Sequence, residues 1–282
     1  MLSYLHAFHA GNFADVQKHA ALCLLADMMQ SKPSPITCFD THAGSALYDL
    51  NDARAQKTGE ADTGIQAVWA QRQTLRSADW SHYLRTLGEL NSSAAKLIRY
   101  PGSPDWLSGM QRPDDRIVLF ELHPTEQARL VDWAGKRKVS VRLGDGLKGL
   151  LGSLPPKTPR LLVIVDPSYE IKSDYRTVAS TLISAWQRCR HGVFLVWYPI
   201  LPGNPARELM DGLRNSPIIK VLRSELMLAE PPPRGMSGSG LLVINPPWGF
   251  GERFDRMMNE AGGRALLNAN HRLDWLIPEM NT

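Results

Sequence analysis

The chain has 282 residues, 43% hydrophobic and 21% charged, so it can bury a full core as one large domain or as a domain with an insertion. Its formal net charge of +4 is compatible with a nucleic-acid partner but too small to argue for one alone. Its three separated cysteines form no CxxC pair, so we expect neither a disulfide framework nor a zinc site. Neither a signal peptide nor a membrane span is recognisable, so we expect a cytoplasmic protein.

Seven short apolar runs alternate with helical stretches and turns. They are residues 36–40, 116–121, 139–143, 161–166, 193–198, 219–222 and 241–244. Runs that are apolar at nearly every position are typical of strands covered on both faces of a parallel sheet. Residues 230–240 are rich in proline and glycine, so the last two strands should form an antiparallel hairpin. The pattern predicts an α/β protein with the Rossmann-like class I methyltransferase arrangement, a seven-stranded, mostly parallel sheet whose last strand is antiparallel.

The gap between the first two runs, residues 41–115, is much longer than the roughly thirty residues of a βαβ unit. Within it, apolar residues recur at helical spacing, namely Trp80, Tyr83, Leu84, Leu87 and Leu90. We therefore predict three segments: residues 1–50 with an N-terminal helix and the first strand, a helical insertion at 51–100, and the rest of the α/β domain at 101–282.

Acidic and small residues follow the first three predicted strands, where ligands bind in doubly wound sheets. Residues 40–46 form a loop of mostly small residues that lets backbone approach a ligand, although this signal alone is not specific. Glu121 could accept hydrogen bonds from both ribose hydroxyls of a nucleoside, and Asp145, followed by Gly146, from an adenine amino group. Each acid could instead cap the next helix. Their occurrence at successive strand ends favours a nucleoside site.

The fourth run ends in Asp166, and residues 166–169 read Asp-Pro-Ser-Tyr. This is close to the Asp/Asn-Pro-Pro-aromatic motif of enzymes that methylate amino nitrogens. An exocyclic amino lone pair is delocalised into its ring and is a poor nucleophile. The Asp166 carboxylate and the Pro167 carbonyl can accept hydrogen bonds from such a group, and Tyr169 offers a face for an extruded or unpaired base. The motif therefore predicts methylation of an amino group on a base.

A second segment, residues 245–248 (Asn-Pro-Pro-Trp), matches that motif more closely in spelling. It follows the seventh predicted strand. If that strand is antiparallel, its carboxyl end points away from the edge that carries the other candidate residues. We therefore interpret residues 245–248 as the proline-terminated end of a strand.

The N-terminal segment predicts a helix, because Val16, Ala20 and Leu24 recur at helical spacing and Asn12 is a suitable N-cap. On this pattern alone, Lys18 and His19 could be the polar side of that helix. Four histidines, at positions 6, 9, 19 and 42, could suggest a metal. No carboxylate or cysteine lies at ligand spacing and methyl transfer needs no metal, so none is expected.

Five segments carry one specific resemblance: residues 4–19, 40–44, 101–104, 166–170 and 238–248. They resemble the RlmJ family of 23S ribosomal RNA adenine-N6 methyltransferases, over nearly the whole chain and including the helical insertion. The sequence departs from the family pattern at Ser168, where a second proline is usual, and at Ser45, where alanine is favoured. The first change could loosen the catalytic loop.

The resemblance implies S-adenosylmethionine as cofactor and assigns residues to it. The implied cofactor contacts are His19, His42, Ser103, Glu121, Asp145, Gly146 and Asp166. Asp166 would also be the catalytic proton acceptor. The implied substrate contacts are Tyr4, His6 and Lys18, in a mobile N-terminal tail that closes over the adenine held by Pro167 and Tyr169.

The expected function is S-adenosylmethionine-dependent methylation of the N6 amino group of a single unpaired or flipped adenine in 23S ribosomal RNA, by a monomer with no membrane partner. The same chemistry could act on a DNA adenine or a protein glutamine amide. Ser168 leaves open a non-catalytic RNA-binding factor on this fold. A nicotinamide oxidoreductase would fit the sheet but does not explain residues 166–169.

Overall fold

The computed structural model of the chain describes residues 4–135 and 137–279. Strands in these ranges are β1 (Ile36–Asp40), β2 (Leu47–Asp49), β3 (Arg99–Pro101), β4 (Arg116–Glu121), β5 (Val139–Leu143), β6 (Arg160–Val165), β7 (Val193–Ile200), β8 (Val221–Leu228), β9 (Gly238–Ile244) and β10 (Ala269–Ile277). The α-helices are α1 (Phe13–Gln30), α2 (Ala53–Thr58), α3 (Glu60–Thr63), α4 (Ile65–Ala70), α5 (Ser81–Leu90), α6 (Ser103–Gly109), α7 (Pro124–Ala134), α8 (Gly146–Ser153), α9 (Asp174–Arg188), α10 (Arg207–Arg214) and α11 (Phe250–Ala261).

The main sheet has the strand order β10-β8-β9-β7-β6-β1-β4-β5. The five strands from β7 to β5 are parallel, and β9 pairs antiparallel with both β7 and β8. This confirms the predicted α/β class, the Rossmann-like class I methyltransferase arrangement and the antiparallel hairpin. Two largely buried clusters, one on each face, form the core.

The prediction of seven strands was wrong by one, because β10 adds an eighth strand beside β8. β10 is an edge strand in which charged Arg272 and Asp274 alternate with apolar Leu273 and Trp275. In a strand with one solvent-exposed face, polar and apolar residues alternate, so no continuous apolar run is visible in the sequence.

The hairpin strands are also longer than predicted, since Gly238 and Gly240 belong to β9. A Cβ on Gly240 would lie 2.0 Å from Cζ of Tyr198 in β7, so only glycine leaves room for that ring.

Helix α1 packs against the sheet and is buried on nearly all sides. Its predicted N-cap is confirmed, because the Asn12 side chain accepts a hydrogen bond of 2.9 Å from the Asp15 backbone N–H. Gln17, Lys18 and His19 are all buried. The alternative that Lys18 and His19 form a solvated helix face is therefore wrong.

Residues 51–100 contain the helices α2 to α5. The antiparallel pair β2–β3 aligns Leu47 with Pro101, so it holds the two ends of this segment together. Tyr83 stacks on Trp106 of α6, with ring centroids 4.6 Å apart, which ties the segment to the main core. Its separation as a subdomain remains a prediction. In the described ranges, no helix combines the length and apolar character needed to cross a membrane.

Candidate active site at the carboxyl edge of the sheet

Four neighbouring parallel strands, β5, β4, β1 and β6, bring the loops that follow them to one edge of the sheet. The loop after β1 is fastened to both neighbours. The Thr41 N–H donates to the Ile164 carbonyl of β6 at 3.1 Å, and the Ala43 N–H donates to the Phe120 carbonyl of β4 at 2.9 Å. The predicted site residues that follow these four strands therefore share one edge.

Asp40 ends β1 as a fully buried carboxyl group. It accepts hydrogen bonds from the Ser103 hydroxyl at 2.6 Å and from the His42 N–H at 3.2 Å, which are two of the predicted cofactor contacts. Burial raises the pKa of Asp40 to about 7. Asp40 is not among the residues predicted from the sequence, although it ends an apolar run as Glu121 does.

His42 is half-buried and its Nδ1 forms a hydrogen bond of 2.8 Å with the Thr41 hydroxyl. Burial lowers the pKa of His42 to about 4. The ring is therefore neutral at physiological pH and offers a hydrogen-bonding edge without charge.

Glu121 ties the end of β4 to the loop after β1. One carboxylate oxygen accepts from the Gly44 N–H at 2.8 Å, and the other from the N–H groups of Leu122 and His123 at 2.8 and 2.7 Å. The ribose contact predicted for Glu121 would use the remaining lone pairs of these oxygens.

Asp145 is the N-cap of α8, as the capping alternative predicted. Its Oδ1 accepts from the N–H groups of Leu147 and Lys148 at 3.0 and 3.1 Å. Its Oδ2 lies 3.3 Å from the Nζ of Lys148, whose side chain is 86% exposed. Capping therefore uses one oxygen and leaves the other at the solvent side of the edge.

Gly146, the first residue of α8, packs directly against the loop after β1. A Cβ at this position would lie 1.9 Å from the Thr41 carbonyl oxygen, which is backbone and cannot turn aside. The glycine thus allows the strand ends of β5 and β1 to approach each other closely.

Replacing Gly146 with alanine should lower the free energy of unfolding by about 1–3 kcal/mol, because the added methyl group overpacks this contact. Gly152→Ala is the matched control, since it lies on the same helix and its Cβ would meet nothing within 4 Å. Urea unfolding of both variants measures the difference. Equal stabilities would show that the strand ends are not tightly packed.

Asp166 is held by a buried lysine. Lys18 Nζ lies 2.5 Å from Asp166 Oδ2 and 2.9 Å from Asp15 Oδ1. Burial alone would lower the pKa of Lys18, but these two carboxylates raise it above its ordinary value, so the ammonium stays charged. Lys18 lies in α1 and not in an N-terminal tail, which corrects the placement implied by the resemblance.

The loop after β6 is anchored through Tyr169. This residue has a φ of 53°, a conformation that is uncommon for a bulky side chain. Its hydroxyl donates to the Trp197 carbonyl at 2.8 Å, and its ring stacks on Tyr175 with centroids 4.3 Å apart. These contacts, with Pro167 buried beside them, fasten the loop to β7 and α9 although Ser168 replaces the second proline.

Asp15 connects the N-terminal segment to this site. It accepts hydrogen bonds of 2.9 Å from the Gly11 N–H and from His6 Nε2, while the Tyr4 hydroxyl lies 2.9 Å from His6 Nδ1. Burial opposes its charge, but His6 and Lys18 hold the pKa of Asp15 well below its ordinary value. Asp15 is also absent from the residues predicted from the sequence. Its only local signal is the spacing of three residues from Lys18.

His19 lies farther along α1. Its Nδ1 forms a hydrogen bond of 2.8 Å with the Tyr100 hydroxyl, and burial lowers its pKa. His9 pairs with Glu60 at 2.8 Å. Within residues 4–135 and 137–279, no group of three or more His, Cys, Asp or Glu side chains is arranged to hold a metal.

The second motif lies at the opposite edge, as its strand direction predicted. β9 is antiparallel to β7, so its last residue, Ile244, pairs with Phe194 near the start of β7. The Asn245 side-chain amide donates to the carbonyls of Arg190 and Gly192 at 2.7 and 2.8 Å. This amide has a structural role far from Asp166.

The residues at the active edge fit S-adenosylmethionine. Carboxylates of Asp145 and Glu121 match the amino and hydroxyl donors of an adenosine. Beside them, Leu143 and Leu122 are 60% and 50% exposed, and such exposed apolar side chains suit the face of an adenine ring. Asp166 adds a carboxylate to the same edge, and Asp40, whose pKa is raised to about 7, is about half ionised at neutral pH.

Comparisons with known proteins agree on one family. The family model described as "Ribosomal RNA large subunit methyltransferase D, RlmJ" matches residues 33–276. The Ribosomal RNA large subunit methyltransferase J of Escherichia coli K12 is 34% identical over 99% of this chain and 100% of its own length. The protein of the same name from Haemophilus influenzae is 37% identical over 88% of each chain. The crystal structure of Legionella pneumophila protein LPL1258 superposes with a TM-score of 0.86 at 32% identity, over 95% of this chain and 98% of that one. The chain belongs to the RlmJ family of methyltransferases.

Proposed function

We propose that this protein transfers a methyl group from S-adenosylmethionine to the N6 amino group of a single flipped or unpaired adenine in 23S ribosomal RNA. The observation that carries the proposal is Asp166, placed by β6 at the edge where Glu121 and Asp145 also lie. Membership of a family whose named relatives are ribosomal RNA large subunit methyltransferases supports the substrate class. We expect the reaction in the cytoplasm, by a monomer.

The cofactor would lie across the ends of β6, β1, β4 and β5. Asp145 would accept a hydrogen bond from its adenine amino group, and Glu121 from its ribose hydroxyls. Bound S-adenosylmethionine supplies a methyl group on a positively charged sulfur. The other proposed contacts, around the loop after β1, are His19, His42, Ser103, Gly146 and Asp166.

Asp166 and Pro167 would grip the target amino group. Lys18 occupies Asp166 Oδ2, and among the described residues no hydrogen bond involves Oδ1, which remains available as an acceptor. The carboxylate and the Pro167 carbonyl would align the amino nitrogen with the methyl group. Nitrogen becomes acidic once it carries the methyl group, and Asp166 then accepts the proton.

The target base would stack on Tyr169. Its hydroxyl is anchored to Trp197, so the ring is preorganised. The ring is buried in this structure, and a base reaches it only after neighbouring segments move. Tyr4, His6 and Lys18 form a continuous chain of hydrogen bonds to Asp166 through Asp15, which supports their proposed role around the substrate.

Mass-spectrometric mapping of methylated nucleosides in RNA from cells with and without the gene tests the proposal. We expect loss of N6-methyladenosine at one position of 23S ribosomal RNA, restored in vitro by the purified protein and labelled S-adenosylmethionine. A product in DNA or on a protein glutamine would refute the RNA substrate. An inactive protein that fails to bind S-adenosylmethionine in isothermal titration would favour a non-catalytic factor.

Asp40 gives this site a pH dependence. Its pKa is raised to about 7 from 3.8, so in the absence of a cation the folded state loses stability as pH rises between these values. A cationic cofactor would favour the ionised form. The affinity for S-adenosylmethionine should therefore rise by up to about tenfold between pH 6 and pH 8, as Asp40 ionises.

Isothermal titration at both pH values measures this change. In Asp40→Asn, the ionisable group is absent and most of the rise should disappear. If the variant keeps the pH dependence of the wild type, Asp40 does not face the cofactor.

A further inference from the structure

A cavity of about 650 Å³ opens at the edge of the sheet opposite the proposed active site. Its walls include the starts of β6 and β7, the end of α1, and Asn245, Pro247 and Trp248. The side chains used below are those of Lys32, Arg160, His191, Trp248 and Arg253. Neither the cofactor site nor the substrate loop uses any of them.

Trp248 stands at the mouth of this cavity and is 95% exposed. The loop that carries it is anchored by hydrogen bonds. Asn245 adopts a φ of 53°, donates through its backbone N–H to the Lys220 carbonyl at 2.9 Å, and binds two further carbonyls through its side chain. The Phe250 N–H closes the turn on the Pro247 carbonyl at 3.0 Å. These bonds hold the Trp248 indole at the surface, where its aromatic face is open to a stacking partner.

The charges around Trp248 are mainly positive. Lys32 and Arg160 line the cavity and have no carboxylate ion-pair partner among the described residues, and His191 is exposed beside them. The half-buried Arg160 guanidinium donates to the Met29 carbonyl. Burial and nearby Arg112 lower its pKa, while Asp115 acts in the opposite direction. No carboxylate of the described residues lies within ion-pair distance of Arg160, so its guanidinium can take an anionic partner.

The acidic groups nearby are already paired. Asp27 lines the cavity and lies 3.6 Å from Arg253, which also contacts Asp79 at 2.5 Å. Arg253 is thus compensated, whereas Lys32 and Arg160 remain a positive surface beside the exposed Trp248 ring.

We propose that this cavity binds an unpaired nucleotide of the RNA substrate, with its base stacked on Trp248 and its phosphates near Lys32 and Arg160. An aromatic platform next to a positive groove is the combination that binds single strands without sequence preference. The inference rests on the proposed RNA substrate. The six residues of β6 separate this cavity from Asp166 by about 20 Å, so it takes a nucleotide other than the target adenine.

The test uses a fluorescein-labelled decauridylate, which lacks adenine and is not a substrate for the proposed reaction. Fluorescence anisotropy should show salt-dependent binding to the full-length protein. Trp248→Ala should weaken it about tenfold or more, as the loss of one base stack requires. Lys32→Ala should weaken it severalfold and reduce the salt slope. Trp275→Ala removes another partly exposed tryptophan, 47% accessible, and should change nothing.

Wild-type affinity in Trp248→Ala would overturn the inference. A second outcome would also overturn it. If Trp248→Ala binds RNA normally but dissociates an oligomer that the wild type forms in analytical ultracentrifugation, Trp248 belongs to a protein interface. The proposed function fails separately: a wild-type protein that binds decauridylate but methylates no 23S ribosomal RNA refutes the reaction and leaves this site in place.

Discussion

Replacing Asp166 with asparagine is expected to lower the rate of methyl transfer by about 10²–10⁴-fold, the usual contribution of a positioned acid–base group. The amide keeps the size of the side chain but cannot take the proton, and its NH2 group competes with the target amino group as a donor. Single-turnover transfer of labelled methyl groups to 23S ribosomal RNA measures the effect.

Asp132→Asn is the control for this substitution, because it makes the same chemical change on the exposed face of α7. Circular dichroism should give both variants the wild-type spectrum. A rate within twofold of wild type for Asp166→Asn would remove Asp166 from the reacting centre.

Replacing Lys18 with methionine should lower the free energy of unfolding by about 3–5 kcal/mol, the typical cost of removing one partner from a buried ion pair. The substitution leaves buried Asp15 and largely buried Asp166 without their shared cation. Lys148→Met is the matched control. Lys148 also pairs with an acid three residues away but is 86% exposed, so its loss should cost less than about 1 kcal/mol.

Adding Asp15→Asn to Lys18→Met should recover part of the stability, since it neutralises one stranded carboxylate. The pKa of Asp15 is held below its ordinary 3.8, so the stabilisation is present above that pH and is lost on acidification. The difference between wild type and Lys18→Met, measured by denaturant unfolding, should therefore shrink below about pH 4. Equal losses for Lys18→Met and Lys148→Met at neutral pH would contradict the role of Lys18.

Lys18 also connects the N-terminal segment to the proposed catalytic residue, Asp166. It joins α1 to the loop after β6 across 148 residues of sequence. Asp15 extends the same network to His6 and Tyr4. A movement of the N-terminal segment around a substrate would therefore shift Asp166 through these hydrogen bonds.

The sequence by itself determined the sheet and most of the active edge. Continuous apolar runs located β1, β4, β6 and β7, because strands buried on both faces exclude polar residues. The alternating run at residues 139–143 located β5, which is an edge strand. Once those strands are parallel, residues that follow them must share an edge, so Glu121, Asp145 and Asp166 could be grouped before any coordinates. The same reasoning placed residues 166–169 at the active edge and residues 245–248 at the opposite edge, although residues 245–248 match the Asp/Asn-Pro-Pro-aromatic motif more closely.

Only the tertiary structure decided which side chains meet. The sequence did not predict β10, because an edge strand with one solvent-exposed face lacks a continuous apolar run. Asp40 and Asp15 were missed because an isolated acid carries no local signal of its burial or of its partners. Spacing along the chain predicts neighbours within a helix or strand, whereas the contact between Lys18 and Asp166 and the positive cavity around Trp248 depend on strand order and packing between distant segments.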